Sequence, residues 1–105
     1  MGKIEYKLFK EFLERRKALE KLLDAVLSSD ADVESSESEE LWQKYKVSER
    51  EWKAKKDSFF NNRDRDNYWY VKKTAYIIID NFYYLSEAKL LNVLKAFDVE
   101  VIVNA

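Results

Sequence analysis

The sequence predicts an α+β fold: a long N-terminal helix, a helical hairpin, and a strand–helix–strand unit that forms a small sheet. Three observations predict it. Apolar residues recur every three to four positions between 4 and 27, the period of a helix packed on one side. Ser48 and Ser86 each stand where a hydroxyl can cap a helix start. Aromatic and β-branched residues cluster at 68–79 and 99–103, as they do in strands. With 105 residues, 47% of them apolar, residues 1–105 have the size and composition of one domain.

Residues 3–28 read as one amphipathic helix through Ile4, Leu8, Phe12, Leu19, Leu22, Leu23, Val26 and Leu27. Phe12, Leu19 and Val26 fall seven apart, the repeat of a coiled-coil seam, which leaves a homodimer through residues 4–27 open. Arg15 and Arg16 interrupt the rows of Leu8 with Leu22 and Phe9 with Leu23, which favours docking within the domain. Ser28-Ser29-Asp30 ends the helix. Residues 30–40 then carry six acids and no base. Such a segment buries too little apolar surface to offset its ordering entropy, so a mobile acidic linker is expected at 29–38.

A short helix over 38–46 places Leu41 and Tyr45 on one face. Ser48 followed by Glu51 makes a capping box, and Val47 and Trp52 are spaced as a hydrophobic staple. A second helix is therefore expected from Glu49 to about Phe60, after a tight turn at Lys46-Val47-Ser48. Residues 61–67 are a polar loop by their types. For 68–79 a strand is favoured, although Tyr68, Val71, Ala75, Ile78 and Phe82 also follow helical spacing. Asp80-Asn81 breaks that run. Ser86 caps a helix over 87–97, with Leu85 packing on Leu90, and Asp98 ends it. Val99–Val103 is expected as a short buried strand. If it lies parallel and adjacent to the strand at 68–79, the crossover should be right-handed.

Function is read mostly by elimination. The chain has no Cys and no His, which removes thiol nucleophiles, imidazole bases, disulfides and structural zinc sites. Its only glycine is Gly2, so it has no glycine-rich phosphate loop. Asp64 and Asp66 alternate with Arg63 and Arg65, which disfavours a cation site. No enzyme activity, cofactor or metal is expected. No apolar run approaches the ~20 residues that span a bilayer, and the charged start lacks an apolar secretory core. No membrane partner is expected, and a cytoplasmic location is.

The net charge of -1 hides an uneven distribution, because residues 41–73 carry ten bases and five acids. Within that basic stretch, residues 40–56 resemble a helix-turn-helix at Leu41, Tyr45, Val47, Ser48 and Trp52, and depart from it at Lys46, where the motif usually has glycine. The resemblance implies a DNA-binding regulator in which Arg50, Lys53 and Lys56 face nucleic acid, with Lys72 and Lys73 on an adjacent wing. A competing reading rests on Tyr68-Trp69-Tyr70 and Phe82-Tyr83-Tyr84. A chain this small cannot easily bury all six, and exposed aromatics make protein-binding hot spots. That reading is preferred. The expected function is a small non-enzymatic regulator that binds a protein partner, of the kind encoded by phages or other mobile elements to inhibit a host machine.

Overall fold

Ile4 stands between Lys3 and Glu5, so the chain opens with a charged–apolar alternation of period two, the strand period. In the computed structural model, which describes residues 2–29, 36–61, 65 and 68–103, these residues form a strand. The order is β1 (Gly2–Glu5), α1 (Tyr6–Ser29), α2 (Ser36–Phe60), α3 (Trp69–Phe82), α4 (Glu87–Ala96) and β2 (Val99–Ile102). The two strands pair in parallel, with Gly2 opposite Val99 and Glu5 opposite Ile102. The fold is thus four helices around a small sheet that joins the two ends of the described chain.

Three expectations about the elements are corrected. The first concerns the partner of the C-terminal strand. It is β1, not residues 68–79, because Gly2–Glu5 is a strand and not the start of the long helix. The absence of a side chain at Gly2 allows this approach: a Cβ built there would overlap the Val71 side chain.

The second correction concerns residues 68–79, which are helical. The helix continues through Asp80-Asn81 to Phe82. A strand would send Ile77 and Ile79 to one face and Tyr76 and Ile78 to the other. The helix instead buries Trp69, Ala75, Tyr76, Ile78 and Ile79 together, which removes more apolar surface from water in a body of helices. Asn81 does not break it, since its Nδ2 donates to the Ile77 carbonyl at 2.8 Å.

The third correction concerns the hairpin at Lys46-Val47-Ser48. Residues 36–60 form one uninterrupted helix. Leu41, Tyr45, Ser48, Trp52 and Phe59 make a single stripe along it, and the helix lies antiparallel to α1, so that Lys55 meets Glu11 (2.8 Å) near one end while Val47 lies beside Leu22 near the other. A turn at Lys46 would break this stripe, and no glycine or proline is there to force one. Val47 is exposed and does not staple onto Trp52. Of the expected acidic linker, Ser29 ends α1 and residues 36–38 begin α2, whereas residues 30–35 lie outside the described residues.

The C-terminal helix follows its sequence signals. Ser86 Oγ accepts the Lys89 amide N–H at 3.4 Å, and Leu85 packs on the core. Asp98 adopts φ 61°, the left-handed conformation that closes many helices, and its carbonyl accepts the Gly2 amide at 2.8 Å. The helix stop and the sheet start are therefore one joint.

Phe12, Leu19 and Val26, the seam proposed for a dimer, are buried inside this fold. Phe12 meets the Tyr76 ring at 4.0 Å, with Trp52 and Phe59 at 4.9 and 5.1 Å from that same ring. The Tyr76 hydroxyl is buried and finds no hydrogen-bond partner among the described residues. Burial pushes its pKa up from 10.0 to about 12. We therefore expect Tyr76→Phe to leave stability unchanged or raise it by ~1 kcal/mol, because it removes an unpaired hydroxyl and keeps the ring. The wild type should also lose stability between pH 10 and 12, since the unfolded phenol ionises first and the folded one resists. Urea titrations of both proteins across that window check this, and a stability loss that persists unchanged in Tyr76→Phe would refute it.

Candidate protein-binding surface

Residues 70, 77 and 84 recur every seven positions, about two helical turns. They line one side of α3 and its exit turn. All three side chains are exposed: Tyr70 65%, Ile77 42% and Tyr84 65%. The opposite side of α3 carries Ala75 and Ile79, which are fully buried. A helix so well packed on one side that still presents two large groups on the other, with a third in its exit turn, offers a contact face, and Tyr is a frequent anchor in such faces.

Neighbouring rings hold this stripe in place. Tyr70 stands edge-on to Trp69 at 4.8 Å. Trp69 is 4% exposed, and its Nε1 donates to the Phe59 carbonyl at 2.6 Å, so it ties α3 to the end of α2. Tyr84 stands edge-on to Tyr83 at 5.7 Å. Tyr83 is half-buried under the Arg16 guanidinium, 4.1 Å from the ring. Its pKa is raised, first by burial and then by its hydrogen bond to Glu20.

The six aromatics singled out in the sequence therefore divide. Tyr68, Tyr70 and Tyr84 are exposed. Trp69 is a buried tie, and Phe82 and Tyr83 are half-buried against the core. Ile77 was missed, because a strand reading of 68–79 gives it no special side. The seven-residue spacing of Tyr70, Ile77 and Tyr84 is the signal that would have found it.

The basic residues divide as well. Lys56 and Lys73 converge on the Phe60 ring, at 6.0 and 5.3 Å. Lys56 also pairs with Asp80 at 3.0 Å. Arg50 and Lys53 are exposed on α2. Lys72 borders a cleft of about 670 Å³ with Lys3 and Tyr68, beside β1. No turn separates two short helices in α2, so the helix-turn-helix resemblance has no counterpart in the fold.

The sequence also gave no sign of the polar centre of the molecule. Asp80 Oδ1 accepts from Arg16 Nε (3.0 Å) and Trp52 Nε1 (3.2 Å), and Oδ2 accepts from Lys56 Nζ (3.0 Å). One carboxylate thus joins α1, α2 and α3. Among the described residues no three acids gather where they could hold a metal, and no helix is long and apolar enough to cross a membrane. Comparison with protein-family models, with curated proteins and with solved structures finds no match for this chain.

Proposed function

We propose that this protein is a small non-enzymatic regulator that binds a protein partner through the outward side of α3. The observation that carries the reading is the row Tyr70, Ile77 and Tyr84, exposed at seven-residue spacing along a helix otherwise packed into the core and its exit turn. Its lack of Cys and His is in keeping with a binding role, and on this reading it acts as inhibitors encoded by phages or other mobile elements do, by occupying a host machine in the cytoplasm.

The test is capture of a stoichiometric partner from nuclease-treated lysate, followed by affinity measurement with variants. Ile77→Asp and Tyr70→Ala should each weaken the complex by ~30-fold or more, the loss expected of a hot spot worth about 2 kcal/mol. Both positions are exposed, so thermal melting should stay near that of the parent. Leu27→Asp, at an exposed position near the far end of α1, should bind as the parent does. Loss of binding in Leu27→Asp with full binding in both α3 variants would move the contact to the α1–α2 end and overturn the proposal.

A further inference from the structure

The same surface carries a second kind of chemistry beside its apolar row. Lys73 follows Tyr70 by three residues and precedes Ile77 by four, so its charge stands next to that row. Lys73 Nζ lies 4.8 Å from the Trp69 ring, and the Arg65 guanidinium lies 4.6 Å from it. Lys53 lies one turn before Lys56 on the side of α2 that carries Phe60. Among the described residues, no carboxylate pairs with Lys53, Arg65 or Lys73. Of the acids nearby, Asp80 is already engaged by Arg16, Trp52 and Lys56. Glu49 and Asp57 are exposed on α2, one turn before and one turn after Lys53. Among the described residues, Lys53, Lys56, Arg65 and Lys73 outnumber Glu49, Asp57 and Asp80 on the α2–α3 face, which leaves it positive with an apolar ridge along it.

We infer that the partner docks there as an acidic amphipathic segment, with apolar side chains on Tyr70 and Ile77 and carboxylates toward Lys53, Arg65 and Lys73. This rests on the protein-binding reading above. Rings hold Lys73 and Arg65 in place before any partner arrives, which lowers the ordering cost of pairing them. A nucleic acid strand fits the face less well. Its bases stack on open ring faces, and beside exposed Tyr70 the face offers an aliphatic Ile77, a buried Trp69 and a Phe60 flanked by two lysines. Ile77 has nothing to offer a phosphate.

The experiment selects displayed random peptides of about 16 residues, roughly four helical turns, on the full chain. Binding of the enriched peptides is then read by fluorescence anisotropy. Enriched sequences should combine apolar anchors with Asp or Glu. Their affinity should fall ~10-fold or more with Lys73→Gln and with Lys53→Glu, and fall steeply with salt. Lys53 is exposed, so its variant keeps the test valid if Lys73→Gln disturbs folding. Peptides that need Ile77 but carry no acids, or ignore both lysine variants, would overturn the acidic-partner inference and leave the protein-binding reading standing. Peptides indifferent to Ile77→Asp, or no enrichment at all, would overturn both. Binding of oligo-dT in place of peptide, lost in Lys53→Glu, would assign the charge to nucleic acid and overturn the inference.

Discussion

Asp80→Ala is expected to destabilise the fold by about 3 kcal/mol, because one carboxylate ties three helices and its removal strands three donors. Arg16, Trp52 and Lys56 come from α1 and α2, while Asp80 comes from α3. All four groups are partly shielded from water. A fully buried pair broken on one side costs ~3–5 kcal/mol. Residual solvent access here reduces the penalty per bond, but three bonds are lost together. For a domain of this size the melting temperature should fall by roughly 15 °C. Denaturant unfolding should show an earlier midpoint with an unchanged slope, the mark of lost stability without a changed denatured state.

Asp80→Asn separates the contributions. It keeps an acceptor for Trp52 Nε1 and removes the charge that holds Arg16 and Lys56, so about half of the loss should remain. Asp57→Ala, an exposed acid on α2, should change stability by less than ~0.5 kcal/mol. If Asp80→Ala stays that close to the parent, the carboxylate is a spectator of helix packing and not its tie. Arg16 also pairs with Glu20 at 3.3 Å and stacks on Tyr83. Arg16→Met should therefore disturb the Tyr83–Tyr84 end of the exposed row as well as the centre.

The parts of the fold legible in the sequence are those that local chemistry decides. Ser86, Leu85 and Asp98 set the limits of α4 with a cap, a core contact and a left-handed residue. The apolar spacing of α1 foretold Phe12, Leu19 and Val26 on its buried face, but not Phe9 and Leu13, nor the exposure of Leu27, nor that α2 and α3 would fill that face. Residues 68–79 misled because β-branched and aromatic residues favour strands on a pleated surface, whereas here Tyr76, Ile78 and Ile79 are wanted on one side of a helix. The alternative spacing Val71, Ala75, Ile78 and Phe82 was visible and was outweighed by propensity. At the N-terminus, four residues are too few for periodicity to separate a strand from a helix start. The aromatic surface was half legible. Composition showed that some rings must stay exposed, but only the helical phase of α3 tells Tyr70 from Trp69. Asp80 could not be found at all, since its three donors lie 64, 28 and 24 residues away.

Proline at position 49 distinguishes the continuous helix from the capped hairpin with the largest contrast. In a hairpin, Ser48 is the cap and Glu49 the first helical residue. Proline is favoured there, because its amide has no helical partner to lose and its φ is already set. Glu49→Pro would then change stability little. In α2 as observed, residue 49 is mid-helix. Proline would delete its amide bond to the carbonyl four residues back and push its ring into that carbonyl, at a cost of ~3 kcal/mol or more. Circular dichroism should show lost helicity, and denaturant midpoints should fall. The Tyr45 hydroxyl hydrogen-bonds the Glu49 side chain, which raises its pKa, so Glu49→Ala is needed to subtract that contact and should cost under ~1 kcal/mol. Ser48→Ala supplies the opposite sign. A capping serine is worth ~1 kcal/mol, whereas Ala inside a helix is the better former. A continuous α2 therefore predicts a severe Glu49→Pro and a neutral or stabilising Ser48→Ala. A mild proline beside a costly alanine would restore the turn at Lys46-Val47-Ser48, and with it the geometry that a DNA-reading helix needs.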